Sequence, residues 1–130
     1  DPAAHFPAAN FQFTAFLPAV WPVLAGHDVL IIPGPLAAPF GNTAVEAVLG
    51  GRPVISSNVG GLPEAVSGYS TARMVSPGSP DEIADAVMSV VHSWEDIARS
   101  VEANAIEAEQ RHAPETYRRL IRDIVASVAR

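Results

Sequence analysis

The sequence predicts an α/β fold, a Rossmann-like parallel sheet covered by helices. Apolar runs rich in β-branched residues alternate along the chain with segments of helical period. Two of those runs, DVLIIP (Asp28–Pro33) and PVISSN (Pro53–Asn58), are continuous rather than alternating, the mark of strands buried on both faces. Glycines and prolines stand where the intervening helices should start or stop.

Each element can be justified in turn. FQFTAF (Phe11–Phe16) reads as a short strand and PAVWPVLAG (Pro18–Gly26) as a proline-rich helix or turn. The strand Asp28–Pro33 leads to the short helix NTAVEAVLGG, stopped by Gly50 and Gly51 because glycine readily ends a helix. The strand Pro53–Asn58 then passes through a VGG turn into the short helix LPEAVS, and ARMVSP (Ala72–Pro77) is a weaker strand. Beyond it the chain is helical. Ser79-Pro80-Asp81-Glu82 offers a capping serine, a proline at the first helical position and a glutamate three after the cap. Ile83, Val87, Val90, Val91 and Trp94 recur at helical spacing, and a longer, more polar helix follows from about Ser93. The last helix starts at Pro114 and carries Tyr117, Leu120, Ile121, Ile124 and Val128 on one face. No repeat or linker divides the chain, so one unit is expected over 1–130, with strands and helices over 11–77 and helices alone over 79–130.

Composition narrows the function. A chain of 130 residues with 48% hydrophobic residues and a mean hydropathy of +0.20 can bury one core. The net charge is −6, lysine is absent and all eight cations are arginine, which argues against a nucleic-acid or anionic-membrane surface. Without cysteine there is neither a disulfide framework nor a thiolate metal site, and a cytoplasmic home is the default expectation. The most apolar long stretch, Phe13 to Gly26, is interrupted by Pro18 and Pro22 and falls short of the ~20 residues a membrane span needs. No basic segment leads into an apolar core as a secretory signal would, and the opening Asp1 points to a longer parent.

The stretch LAAPFGNTAVEA (Leu36–Ala47) carries the chemistry. In a parallel sheet, ligands bind outside the carboxyl ends of strands, where helix N-termini converge, and this stretch joins such an end to such a helix. Gly41 lets a ligand approach the backbone, and the amides of Asn42, Thr43 and Ala44 form an anion site at the helix start. Glu46, about one turn in, is placed to accept hydrogen bonds from hydroxyls. Diphosphate on the amides and a diol on the carboxylate describe a nucleoside diphosphate with its ribose. Thr43-x-x-Glu46 is also a capping box, and on residue types alone the cap is the commoner explanation.

Other candidates are weaker. His5, His27, His92 and His112 show no metal-ligand spacing, and helix ends or the surface explain such imidazoles more often. Neither a nucleophile elbow nor a Walker loop is present. Gly60-Gly61 suits a tight turn at least as well as an anion site. Arg118, Arg119 and Arg122 suit a solvated helix face, with an interdomain contact second.

The series DVLIIP, APFGNTAVEAVLGGRPVISSNVGGLPEAV and MVSPGSPDEIADAV, in that order and spacing, closely resembles the C-terminal donor-binding domain of the group 1 retaining glycosyltransferases of GT-B fold. The resemblance runs from Asp28 to about Val87, with looser helical similarity beyond. It implies glycosyl transfer from a UDP-, GDP- or ADP-sugar to an acceptor that the segment does not identify, with no cofactor and no metal. It makes Gly41, Asn42, Thr43 and Ala44 the diphosphate-binding turn, Glu46 the ribose ligand and Phe40 a residue shaping the loop. Where the family's first glutamate stands, eight positions before Glu46 and near the transferred sugar, this chain has Ala38, so no catalytic residue is identified. The family's upstream strands, their phosphate-clamping arginine and lysine, and the N-terminal acceptor domain are not in the segment. In the doubly wound order the runs 11–16, 28–33, 53–58 and 72–76 are then strands three to six, and strand four should show a bare apolar edge for a partner to cover. A nucleotide-sugar 2-epimerase of the same fold and a non-catalytic nucleotide-sugar binding or assembly module are the alternatives.

Overall fold

The computed structural model describes residue 12, residues 14–37 and residues 39–128. In chain order the elements are α1 (Trp21–Ala25), β1 (Leu30–Ile32), α2 (Asn42–Leu49), β2 (Val54–Ser57), α3 (Leu62–Val66), β3 (Ala72–Val75), α4 (Pro80–His92), α5 (Trp94–Arg111) and α6 (Pro114–Val128). The three strands form one parallel sheet in the order β1-β2-β3. Register sets Leu30 beside Val54 and Ile32 beside Ser56 on one side of β2, and Val54 beside Ala72 and Ser57 beside Val75 on the other.

Because side chains alternate across a strand, β2 feeds two cores. Val54 faces the side where Ala44, Ala47 and Val48 of α2 and Leu62, Ala65 and Val66 of α3 pack, with Leu24, Tyr69 and Ala108 closing the layer. Ile55 faces the other side, against Val75, Val90 of α4 and Ile97 of α5. All four residues of β2 are buried, as a continuous apolar run predicts. With Ile97 in one core and Ala108 in the other, α5 wraps around the sheet.

Polar anchors hold the helices to this sheet. Ser79 caps α4 by accepting from the Glu82 amide at 3.4 Å, and Glu82 in turn accepts the Ser76 amide at 2.7 Å, which holds its carboxyl below the usual glutamate range. Arg52 Nε donates to the Leu24 carbonyl at 2.9 Å and closes the last turn of α1. Asn104, buried in α5, accepts from the Thr71 hydroxyl at 2.9 Å and the Thr71 amide at 3.1 Å, fixing α5 to the approach to β3.

Two expectations need correction. The run 11–16 is not a strand where it is described: residues 12 and 14–16 are irregular and Phe16 is 95% exposed, while Phe11 and Phe13 lie outside the described residues. A strand needs a hydrogen-bonded neighbour, and no described residue supplies one. β1 is not buried on both faces either. Among the described residues it is the edge of the sheet, with Leu30 and Ile32 half-buried and Ile31 40% exposed. That is the bare apolar edge expected of strand four. Among the described residues no helix is long and apolar enough to cross a membrane.

Candidate functional site

The turn after β1 is built on Gly41, which holds φ 90° and ψ 48°. That left-handed conformation is cheap only for glycine, and space demands glycine as well: a Cβ there would stand 2.6 Å from Leu62 Cδ2. Gly61 plays a complementary part. A Cβ on it would meet the Pro39 carbonyl oxygen at 2.4 Å and Phe40 Cα at 2.6 Å, so the Pro39-Phe40 backbone rests directly on the VGG turn. Close approach between two loops is therefore the role of Gly61.

From Gly41 the chain enters α2. Asn42 and Thr43 are exposed, and as the first two helical residues their amides have no intrahelical acceptor. Ala44 differs: its amide donates to the Gly41 carbonyl at 2.9 Å and the residue is fully buried, so of the three amides expected to bind an anion only those of Asn42 and Thr43 lack an intrahelical acceptor. Glu46 is half-buried and lies three and four positions after them, on the same helix face, with its Cα–Cβ bond tilted toward the N-terminus. Carboxylate and amides thus lie together in the first two turns of α2, the helix that follows β1.

The capping box is not formed. Gly41 is the N-cap, and no side-chain hydrogen bond caps α2. Thr43 is already the second helical residue, two positions past the N-cap at which its hydroxyl could cap the amide of Glu46. Among the described residues the Glu46 carboxylate has no hydrogen-bond partner. Ala38 lies outside the described residues.

Phe40 is half-buried against the core and meets His112 edge to face, ring centroids 6.2 Å apart and planes at 69°. His112 closes α5, and its Nε2 lies 3.4 Å from the Tyr69 hydroxyl. Burial, and then the neighbouring Arg111, hold the imidazole below its usual range, so it is neutral at pH 7. Burial pushes the Tyr69 phenol up. Arg111 sits 5.5 Å from the Tyr69 ring centroid and donates to the carbonyls of Ser67 at 2.7 Å and Glu64 at 3.0 Å. Phe40, Glu64, Arg111, His112, Tyr117 and Leu120 line a groove of about 630 Å³ beside the turn. None of Glu64, Arg111 and His112 was singled out as part of the site by sequence; the PE of LPEAV was the only signal near them.

The remaining candidates form no second site among the described residues. His27 Nδ1 is bonded to the Val23 carbonyl at 2.6 Å, His92 ends α4 and His112 caps α5, so each described histidine sits at a helix end. His5 lies outside the described residues. Among the described residues no three His, Asp or Glu side chains gather as a metal site. The hydroxyls of Ser56 and Ser57, at the carboxyl end of β2, are buried without a hydrogen-bond partner among the described residues.

Comparison with known proteins agrees with this architecture. The family described as "Glycosyl transferases group 1" matches residues 3–93. A 2-deoxystreptamine glucosyltransferase of Streptomyces kanamyceticus is 37% identical over 84 residues, covering 63% of this chain and 21% of that protein. A D-inositol 3-phosphate glycosyltransferase of Paenarthrobacter aurescens is 36% identical over 95 residues, 68% of this chain and 23% of that one. Among solved structures, Anabaena HepE in complex with UDP-glucose superposes with a TM-score of 0.70 at 28% identity, over 84% of this chain and 30% of that one. The chain thus spans about a fifth of the length of these curated relatives.

Proposed function

The chain belongs to the group 1 glycosyl transferases, and from that premise we propose that it forms part of the donor-binding domain of a retaining glycosyltransferase. The observation that carries this reading is the start of α2, where Asn42 and Thr43, whose amides have no intrahelical acceptor, and Glu46, whose carboxylate has no hydrogen-bond partner among the described residues, share one helix face. In it the amides hold the diphosphate of a nucleoside-diphosphate sugar, Phe40 and Gly41 shape the turn, and Glu46 holds the ribose hydroxyls. A UDP-sugar is the first donor to test, since HepE was solved with UDP and with UDP-glucose.

The chemistry asked of this helix start is electrostatic. As the bond from the anomeric carbon to the diphosphate oxygen breaks, negative charge grows on the leaving group. Fixed amides at a helix start stabilise that charge without reorganising. The acceptor oxygen then bonds the anomeric carbon on the face the diphosphate left and passes its proton to the departing diphosphate oxygen. The sheet edge at β1 would be covered by the parent's remaining strands or by another chain. A cytoplasmic setting, expected of a cysteine-free chain, belongs to the same proposal.

Glu46→Gln tests the reading. It keeps the shape and removes the charge, so nucleotide binding measured by titration calorimetry against UDP, GDP and ADP should weaken by about 1–3 kcal/mol. Unchanged binding by a folded variant would leave Glu46 without a ligand role.

Ala38 favours a second reading, a module that binds the nucleotide sugar without transferring it. A methyl group offers neither a hydrogen bond to a sugar hydroxyl nor charge for a cationic anomeric centre. Losing one well-placed electrostatic group commonly costs on the order of a hundredfold or more in rate. In the full parent, Ala38→Glu should therefore raise turnover. A drop or no change would mean that another residue orients the sugar.

A further inference from the structure

The proposed donor turn is held from outside the strand–helix unit that creates it. Phe40 precedes Gly41, and its ring is met by His112, a residue more than seventy positions away at the joint between α5 and α6. His112 is itself held by the Tyr69 hydroxyl at 3.4 Å and by the packing of Arg111 over the Tyr69 ring. On the other side, the Pro39-Phe40 backbone rests on Gly61 with no room for even a methyl group. Phe40 is thus clamped between a backbone seat and one imidazole. The seat is rigid; the imidazole is a side chain on a helix joint.

We propose that His112 is a positioning residue for the donor turn: by packing against Phe40 it fixes where Gly41 starts α2, and so where the Asn42 and Thr43 amides point. This inference rests on the reading of that turn as a donor site. Neither ring need touch the nucleotide. A shift of the α5–α6 joint moves His112, frees the Phe40 ring and lets the Gly41 turn relax. Pro114, Tyr117 and Leu120, from the first two turns of α6, line the same groove, so the position of α6 reaches the turn by this route.

The test compares the native protein with His112→Ala, His112→Phe and Phe40→Leu, all in the intact protein. One readout needs no ligand. The Ala44 and Val45 amides close the turn by donating to the Gly41 carbonyl at 2.9 and 3.4 Å, and hydrogen exchange over residues 41–48 reports how well it is held. Protection over 54–57 serves as the control for global stability. An edge-to-face pair is worth enough that His112→Ala should speed exchange over 41–48 and weaken UDP binding each by about two- to tenfold, with 54–57 unchanged. His112→Phe, which keeps a ring but loses the bond to Tyr69, should restore both. In the Phe40→Leu background His112→Ala should add nothing, since the contact it removes is already gone. The proposal is overturned if His112→Ala leaves exchange and UDP affinity unmoved, if His112→Phe is as impaired as His112→Ala, or if the two substitutions act additively. Failure of the donor reading looks different: the native protein and Glu46→Gln would bind UDP alike or not at all, while exchange over 41–48 still answered to His112. That outcome removes the functional half of the proposal and leaves the mechanical half standing.

Discussion

In α2, Ala44 and Ala47 are fully buried and Val48 almost so, whereas α6 buries no residue and Ile124, in the middle of its apolar stripe, stays 59% exposed. Both helices carry apolar residues at helical spacing, and α6 is the longer. What differs is the surroundings. α2 lies between the sheet on one side and α5 on the other, so its stripe meets Val54, Leu62 and Ala108. The stripe of α6 meets none of the core residues. An amphipathic pattern therefore states which face a helix needs to cover, and the rest of the molecule decides whether it is covered. A helix of fifteen residues with little packing rests on its own hydrogen bonds and on pairs such as Arg118 with Glu115 at 3.1 Å, and is marginal by itself.

Truncations sharpen this contrast most. Ile55→Ala removes a fully buried side chain from the middle strand and should lower stability by about 2–5 kcal/mol in urea unfolding. Ile124→Ala, the same chemical change on α6, should stay within about 0.5 kcal/mol. A cost for Ile124→Ala near that of Ile55→Ala would show that α6 is covered in solution and would break the comparison.

Gly61→Ala probes the packed side at a finer scale. Its methyl must displace the Pro39 carbonyl, at a cost of about 1–3 kcal/mol from overpacking. Nucleotide binding should weaken with it, because the displaced backbone is the one that leads into Gly41. Thermal unfolding and UDP titration on the same variant would check both effects. A variant as stable and as competent as the native protein would remove the seat from the account.

The smallest effects concern pH. His112 has its folded pKa below the ordinary imidazole range, so the stability it contributes is full above that range and is lost as pH falls through it, where the unfolded chain takes up the proton first. Glu82 behaves likewise lower down: its contribution is present above the ordinary glutamate range and is lost as pH falls through its depressed folded value. Melting temperatures between neutral and acid pH should therefore fall in two steps, the upper flattened in His112→Phe and the lower in Glu82→Gln. A profile unchanged by either substitution would show that neither group is linked to folding.

Much of the fold was legible because it is set within a few residues. Continuous apolar runs placed β1 and β2, and the weaker run ARMVSP placed β3, each to within two residues, and Ser79-Pro80 marked the start of α4 at the right position. The strand–glycine–helix order located the turn at Gly41, since only the lack of a side chain meets that local demand. The capping box was misread for an equally local reason: the N-cap is Gly41 rather than Thr43, and a shift of two positions removes a cap.

Taken alone, then, the sequence determined the strands β1 to β3, the helices that follow them and where the Gly41 turn falls, because periodicity, chirality and turn chemistry act over at most a few neighbours; the run 11–16 had the pattern of a strand but no pairing partner among the described residues. Only the tertiary structure decided that the stripe of α6 stays open, that Gly61 is the seat of Phe40, and that Asn104, Arg111 and His112 tie α5 to loops more than thirty residues away. Those outcomes depend on contacts between distant segments. A buried carbonyl or amide pairs with whichever partner the packing brings to it, and no local pattern names that partner in advance.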